Sequence, residues 1–169
     1  SDPFTLSELE REYIAYALAL YYQCDHCVQH HGRTIERLRK QTGAPLWLWQ
    51  KEFVKLVLFL RTSRTEVSSL EWVGWVEAWR RFAGWVHLQH PGLACNIAYA
   101  IGIARVDEHL LEVAFESLRK LYLEDGRLLG VIRDIDRVVV FMKAATSKNR
   151  TDPILRRQLD SCGLDGLPH

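Results

Sequence analysis

Two cysteines three apart and three histidines fall within eight residues of the run YYQCDHCVQHHG, residues 21–32, in a chain of four cysteines and seven histidines. Three explanations compete. Cys24 and Cys27 could form a redox dithiol. They could join His31 as zinc ligands, with Glu12, Cys95 or Cys162 as the fourth. Or the cluster could be a coincidence of composition. A C-x-x-C pair alone is weak, but a histidine four residues after the second cysteine makes coincidence much rarer. On a helix, Cys24, Cys27 and His31 stand at i, i+3 and i+7 and project from one face. Three residues of helix part α-carbons by about 5 Å, inside the roughly 4.4–6.8 Å window of a disulfide. A thiolate, not a thiol, attacks a peroxide or a disulfide, and His31 is spaced to take the Cys27 proton directly or through one water. Cys24, near the helix start, would meet free amides and the positive end of the helix dipole. The same spacing turns His26 away from the Cys27–His31 face and leaves His30 toward solvent. Three ligands from one helical face leave an open position, unlike most closed structural zinc sites.

The elements that must carry this cluster read as helices throughout. Thr5-Leu-Ser-Glu8 has the form of a capping box, opening a helix over about 6–21 with Leu6, Leu9, Tyr13, Ala17 and Leu20 on one stripe. A second helix spans about 24–40 and ends before Gly43 and Pro45. A third covers about 47–61, with Trp49, Phe53, Leu56, Val57 and Leu60 on one face. After the linker TSRTEV, Ser68-Ser-Leu-Glu71 offers a second capping box for a helix over about 69–88, striped with Trp72, Trp75, Trp79 and Phe82 and closed by Pro91-Gly92. Helices over about 93–105, 107–123 and 127–145 follow. These predict an all-α, single-domain bundle of about seven helices over residues 1–145, with a polar C-terminal tail of little helix over 146–169.

With the elements in place, the run from Glu12 to His31 has the form E, eleven residues, C-x-H-C, three residues, H. It resembles the signature of the alkyl hydroperoxidase D group within the carboxymuconolactone decarboxylase superfamily, and LSELERE leading into an alanine- and leucine-rich helix is similar to that superfamily too. The resemblance implies an all-helical homo-oligomer, a trimer or higher, whose C-x-x-C thiols reduce hydroperoxides. By it, Cys27 attacks the peroxide, Cys24 resolves the product, His31 and Glu12 relay the proton, and His26 lines the site. A small dithiol or a redox protein supplies the electrons, and no flavin, haem, nucleotide or metal cofactor is expected. Members that lack both cysteines act as decarboxylases, and this chain has both. Glu12 sets a geometric condition: in one straight helix, fifteen residues would hold it about 22 Å from Cys27. The chain is therefore expected to break near Tyr21–Gln23, although no glycine or proline is there to force it.

Composition bounds the rest. Lysine and arginine total 22 against 21 acidic residues, a net charge of +1, without the basic excess a dedicated nucleic-acid binder needs. No apolar run approaches the roughly 18–20 residues of a membrane span. The opening residues SDPFTLSELERE lack the basic-then-apolar order of a secretory signal, so a cytoplasmic protein is expected. In that compartment paired cysteines favour redox or metal chemistry over a structural bridge. Cys95 reads as a buried thiol and Cys162 as a tail thiol. The tryptophan stripe reads as core or subunit interface, and His87 and His90 as a solvated helix end.

Overall fold

The computed structural model describes residues 3–43, 49–62, 73–81, 83 and 92–164. Among them the chain forms seven helices and no strand: α1 (Glu8–Tyr21), α2 (Asp25–Thr42), α3 (Trp49–Thr62), α4 (73–81), α5 (Leu93–Arg105), α6 (Glu108–Tyr122) and α7 (Leu128–Ser161). The protein is an all-α helical bundle. No described helix is long and apolar enough to cross a membrane.

α1 is the centre of the bundle. Residues 13–19, Tyr-Ile-Ala-Tyr-Ala-Leu-Ala, are buried without interruption, so the helix is covered on all sides and not along the single stripe the periodicity predicts. Its alanines let neighbours approach closely, and α2, α3, α5 and α7 all pack on it. α3 presents the expected face, with Phe53, Leu56, Val57 and Leu60 buried. Of the tryptophan stripe, Trp79 is core. Phe59 stacks on Trp75 and Trp79 at centroid distances of 5.6 and 6.4 Å. The remaining stripe positions, Trp72 and the Phe82 side chain, lie outside the described residues, as do Trp49's side chain, the box at Ser68, His87 and His90.

Three departures from the sequence reading matter for the site. The α1 capping box is Ser7 with Glu10, not Thr5 with Glu8: Ser7 Oγ accepts the Glu10 amide at 3.1 Å, and the Glu10 carboxylate accepts the Ser7 amide at 2.7 Å. Both frames satisfy the pattern, and tertiary structure chooses between them. The buried Asp134 carboxylate on α7 accepts the Thr5 and Leu6 amides at 2.7 and 2.8 Å. Thr5 then packs so tightly on α7 that a Cβ on Gly130 would meet its Oγ1 at 2.0 Å.

The second departure is the break itself. α1 ends in a two-bond reversal in which the Cys24 amide donates to the Ala19 carbonyl at 3.0 Å and the Gln23 amide to the Leu20 carbonyl at 3.1 Å. Between them Gln23 sits at φ +56, a left-handed conformation normally given to glycine or asparagine. The expected break occurs, on a residue that sequence rules do not mark for it.

The third is α7. The sequence predicts a tail from residue 146, yet helix continues to Ser161 with Pro153 inside it. Proline has no N–H to give the carbonyl of Asn149. Helix-forming Leu155, Arg156, Arg157, Gln158 and Leu159 beyond it carry the helix on.

Candidate functional site

The α1–α2 reversal makes an antiparallel helical hairpin and so decides what meets what. Cys24 is the N-cap of α2, its sulfur accepting the Cys27 amide at 3.3 Å. Cys27 lies in the first turn. The two sulfurs are at disulfide distance, with α-carbons 5.3 Å apart. Both are buried, at 7% and 4% exposure. The buried face of α2 runs through Cys27, His31, Ile35, Leu38 and Arg39, so the cysteine–histidine face turns inward, against α1.

Folding back brings Glu12 of the same chain to His31. Their Oε2 and Nδ1 atoms are 2.6 Å apart, a charge-assisted distance. Toward a carboxylate that only accepts, the imidazole turns its Nδ1 hydrogen, and in the neutral ring this leaves Nε2 with the lone pair. An open cleft of about 360 Å³ reaches this pair from outside, walled by Phe4, Arg11, Ala15, Arg137, Val138 and Phe141 among others. Its lining mixes apolar side chains with the cations Arg11 and Arg137 and the acids Glu8, Glu12 and Asp134, and it gives a small solute a way to the imidazole.

Of the sequence-predicted residues, Cys24, Cys27, His31 and Glu12 come together at one end of the α1–α2 hairpin. Among the described residues no hydrogen bond joins His31 to either sulfur; the ring stands one helical turn from Cys27, so a proton would pass through water. His26 is not gathered in. It is exposed on the first turn of α2 and makes no hydrogen bond or ion pair with the cluster among the described residues, as helical spacing requires. His30 is also exposed, its ring edge-on to His31 at 5.0 Å.

The other cysteines stay apart. Cys95 is buried on α5 with its thiol donating to the Gly92 carbonyl at 3.1 Å, and burial pushes that thiol up to about 12. Cys162 is exposed at the end of α7. The described residues hold no group of three or more histidine, cysteine, aspartate or glutamate side chains disposed around a metal ion.

The sequence reading misses two residues, both on the stretch taken for a tail. Asn149 Nδ2 lies 3.4 Å from the Cys27 sulfur and 3.9 Å from that of Cys24. Arg150 donates through Nη2 to the carbonyl of Tyr22, the C-cap of α1. That places a cation at the negative end of a helix with no basic residue in its own last turn. The helix-forming composition after Pro153 is the signal that could have led to both.

Comparisons with protein-family models, with curated proteins and with solved structures found no match.

Proposed function

We propose that this protein is a thiol-dependent peroxidase and disulfide oxidoreductase of the alkyl hydroperoxidase D type within the carboxymuconolactone decarboxylase superfamily. The family reading is supported by the run from Glu12 to His31 and by the LSELERE segment that leads into α1. The observation that carries the chemistry is the pairing of two sulfurs at bonding distance with a Glu12–His31 hydrogen bond one turn away.

In the reduced protein the Cys27 thiolate attacks the outer oxygen of a hydroperoxide, the O–O bond breaks, and the alkoxide leaves with a proton relayed from His31. Cys27 is then a sulfenic acid. The Cys24 sulfur attacks the Cys27 sulfur, the S–O bond breaks, water leaves, and the 24–27 disulfide forms. A dithiol donor reduces it by exchange and is itself oxidised. Glu12 fixes the tautomer of His31 and offsets the positive charge when the ring is protonated. The donor is a small dithiol or a dithiol-bearing protein, and a cytoplasmic setting would keep it reduced. Leu129, Val140 and Phe141 leave exposed apolar surface on α7, which favours a homo-oligomer, a trimer or a higher closed assembly.

The test is hydroperoxide consumption by the purified protein with a small dithiol as reductant. Turnover abolished in Cys27→Ser and in Cys24→Ser is the expected result. Turnover undiminished in Cys27→Ser would remove the nucleophile, and a single oxidation that no dithiol reverses would mark a sensor instead of an enzyme.

A further inference from the structure

The dithiol reading uses α1 and α2 only, yet α7 reaches the sulfurs as well. Beyond Thr146 it has little reason to be there on packing grounds: from residue 147 to 161 every position is exposed except the half-buried Asp152 and Leu159. What this stretch does contact is the redox pair and the helix end beside it. Asn149 meets the sulfurs from 122 residues away in sequence, closer to Cys27 than to Cys24, and Arg150 ties the same turn of α7 to the Tyr22 carbonyl.

In the bonded 24–27 pair the two sulfurs are unequally supplied with donors. Cys24 receives the backbone amide of Cys27 at 3.3 Å and Asn149 only at 3.9 Å, whereas Cys27 receives the side-chain amide of Asn149 at 3.4 Å. An N–H donor bonds a sulfur anion more strongly than a neutral thiol, so it favours the charged form. We propose that Asn149 is a catalytic hydrogen-bond donor that holds Cys27 as its thiolate, with Arg150 positioning it; this rests on the dithiol reading above. The assignment gives the exposed arm of α7 a role in choosing which sulfur attacks. Titratable groups near the pair are Asp25 and His26 in the first turn of α2, Tyr22, the Glu12–His31 pair, Arg150, and Arg61 of α3 beside the Gln23 side chain, and a change at residue 149 alters the charge of none of them.

The experiment is the pH profile of Cys27 alkylation by iodoacetamide, read by mass spectrometry in a Cys24→Ser, Cys162→Ser background. Asn149→Leu keeps the size, does not weaken the helix and removes the donor; it should raise the midpoint by about one pH unit. Asn149→Asp, which replaces the donor with a negative charge, should raise it further. Arg150→Lys keeps the charge but gives up the guanidinium contact, and should move the midpoint by less than about a third of the Asn149→Leu shift. Midpoints unmoved in both Asn149 variants would overturn the assignment, and so would an Arg150→Lys shift as large as that of Asn149→Leu. Alkylation needs no peroxide. A shifted midpoint in a protein that never turns peroxide over would sustain this inference and defeat the dithiol peroxidase, and a fixed midpoint in an active peroxidase would do the reverse.

Discussion

Glu12→Gln changes one atom of the relay and keeps its shape. In the native pair the carboxylate oxygen stands 2.6 Å from His31 Nδ1, with the two side chains 23% and 10% exposed. The substitution has two effects. The amide can turn either its oxygen or its NH2 toward Nδ1, so His31 is no longer held in the tautomer that leaves Nε2 as a base. The bond also falls from charge-assisted to neutral, a loss of about 1–1.5 kcal/mol. Felt as imidazolium charge develops, that loss is a factor of roughly ten in rate. His31→Ala should cost more, about 10²–10⁴-fold, because it removes the acid–base group itself. Since Glu12 acts only through His31, the double variant should be no slower than His31→Ala alone. Global stability should change by less than about 1 kcal/mol, because the pair is partly solvated. The assay is single-turnover oxidation of the reduced protein by excess hydroperoxide, followed in a stopped-flow instrument by tryptophan fluorescence. A Glu12→Gln rate within twofold of the native protein would refute the reasoning. So would a double variant in which the Glu12 factor multiplies the His31 factor in full.

Asp134→Ala should lower stability by about 3–5 kcal/mol, since two amides bonded to one buried carboxylate lose their acceptor; a urea melt changed by under about 1 kcal/mol would show that the N-terminal segment is held otherwise. Burial of the Cys95 thiol, raised to about 12 from an ordinary value of 9.0, predicts that native protein at pH 8 is alkylated at Cys162 and not at Cys95, as peptide mapping would show. The sign for stability follows: the folded state keeps the Cys95 proton that the unfolded chain gives up, so this contribution is intact below about pH 9 and declines as pH rises toward about 12. Light scattering should report a trimer or larger assembly at micromolar concentration, and a monomer there would remove the role suggested for the apolar surface of α7.

The fold was legible where one local rule had no competitor. The α3 face from Phe53 to Leu60 follows from apolar spacing alone, and α5 is bounded by Pro91-Gly92 ahead of it and a short polar joint behind it. Cys27 and His31 share a face because helical periodicity leaves no other arrangement, Cys24 joins them from the N-cap position just ahead of the helix, and the same periodicity turns His26 and His30 outward. What escaped was decided by contacts distant in sequence or by residues in unusual conformations. Thr5 and Ser7 both begin acceptable capping boxes, and Asp134, about 130 residues on, selects the second. Gln23 takes a left-handed turn with no glycine to announce it, so the break that carries Glu12 to His31 was required by the geometry of the motif and invisible in the local residues. Asn149 and Arg150 were lost with the helix they stand on, because the polar composition from Thr146 onward reads as a tail and outweighed the helix formers that follow Pro153.

The central claim is that the Cys24–Cys27 pair exchanges electrons with a hydroperoxide and with a dithiol, and quenched-flow mass spectrometry of the peptides spanning residues 24–27 tests it most directly. Reduced protein mixed with one equivalent of hydroperoxide should lose two hydrogens as the 24–27 disulfide forms, in step with peroxide consumed, and added dithiol should restore the starting mass. Cys24→Ser should stop at a sulfenic acid on Cys27. Peroxide consumed without that disulfide, or a Cys24–Cys27 bond that forms no faster than free thiols oxidise in solution, would contradict the account.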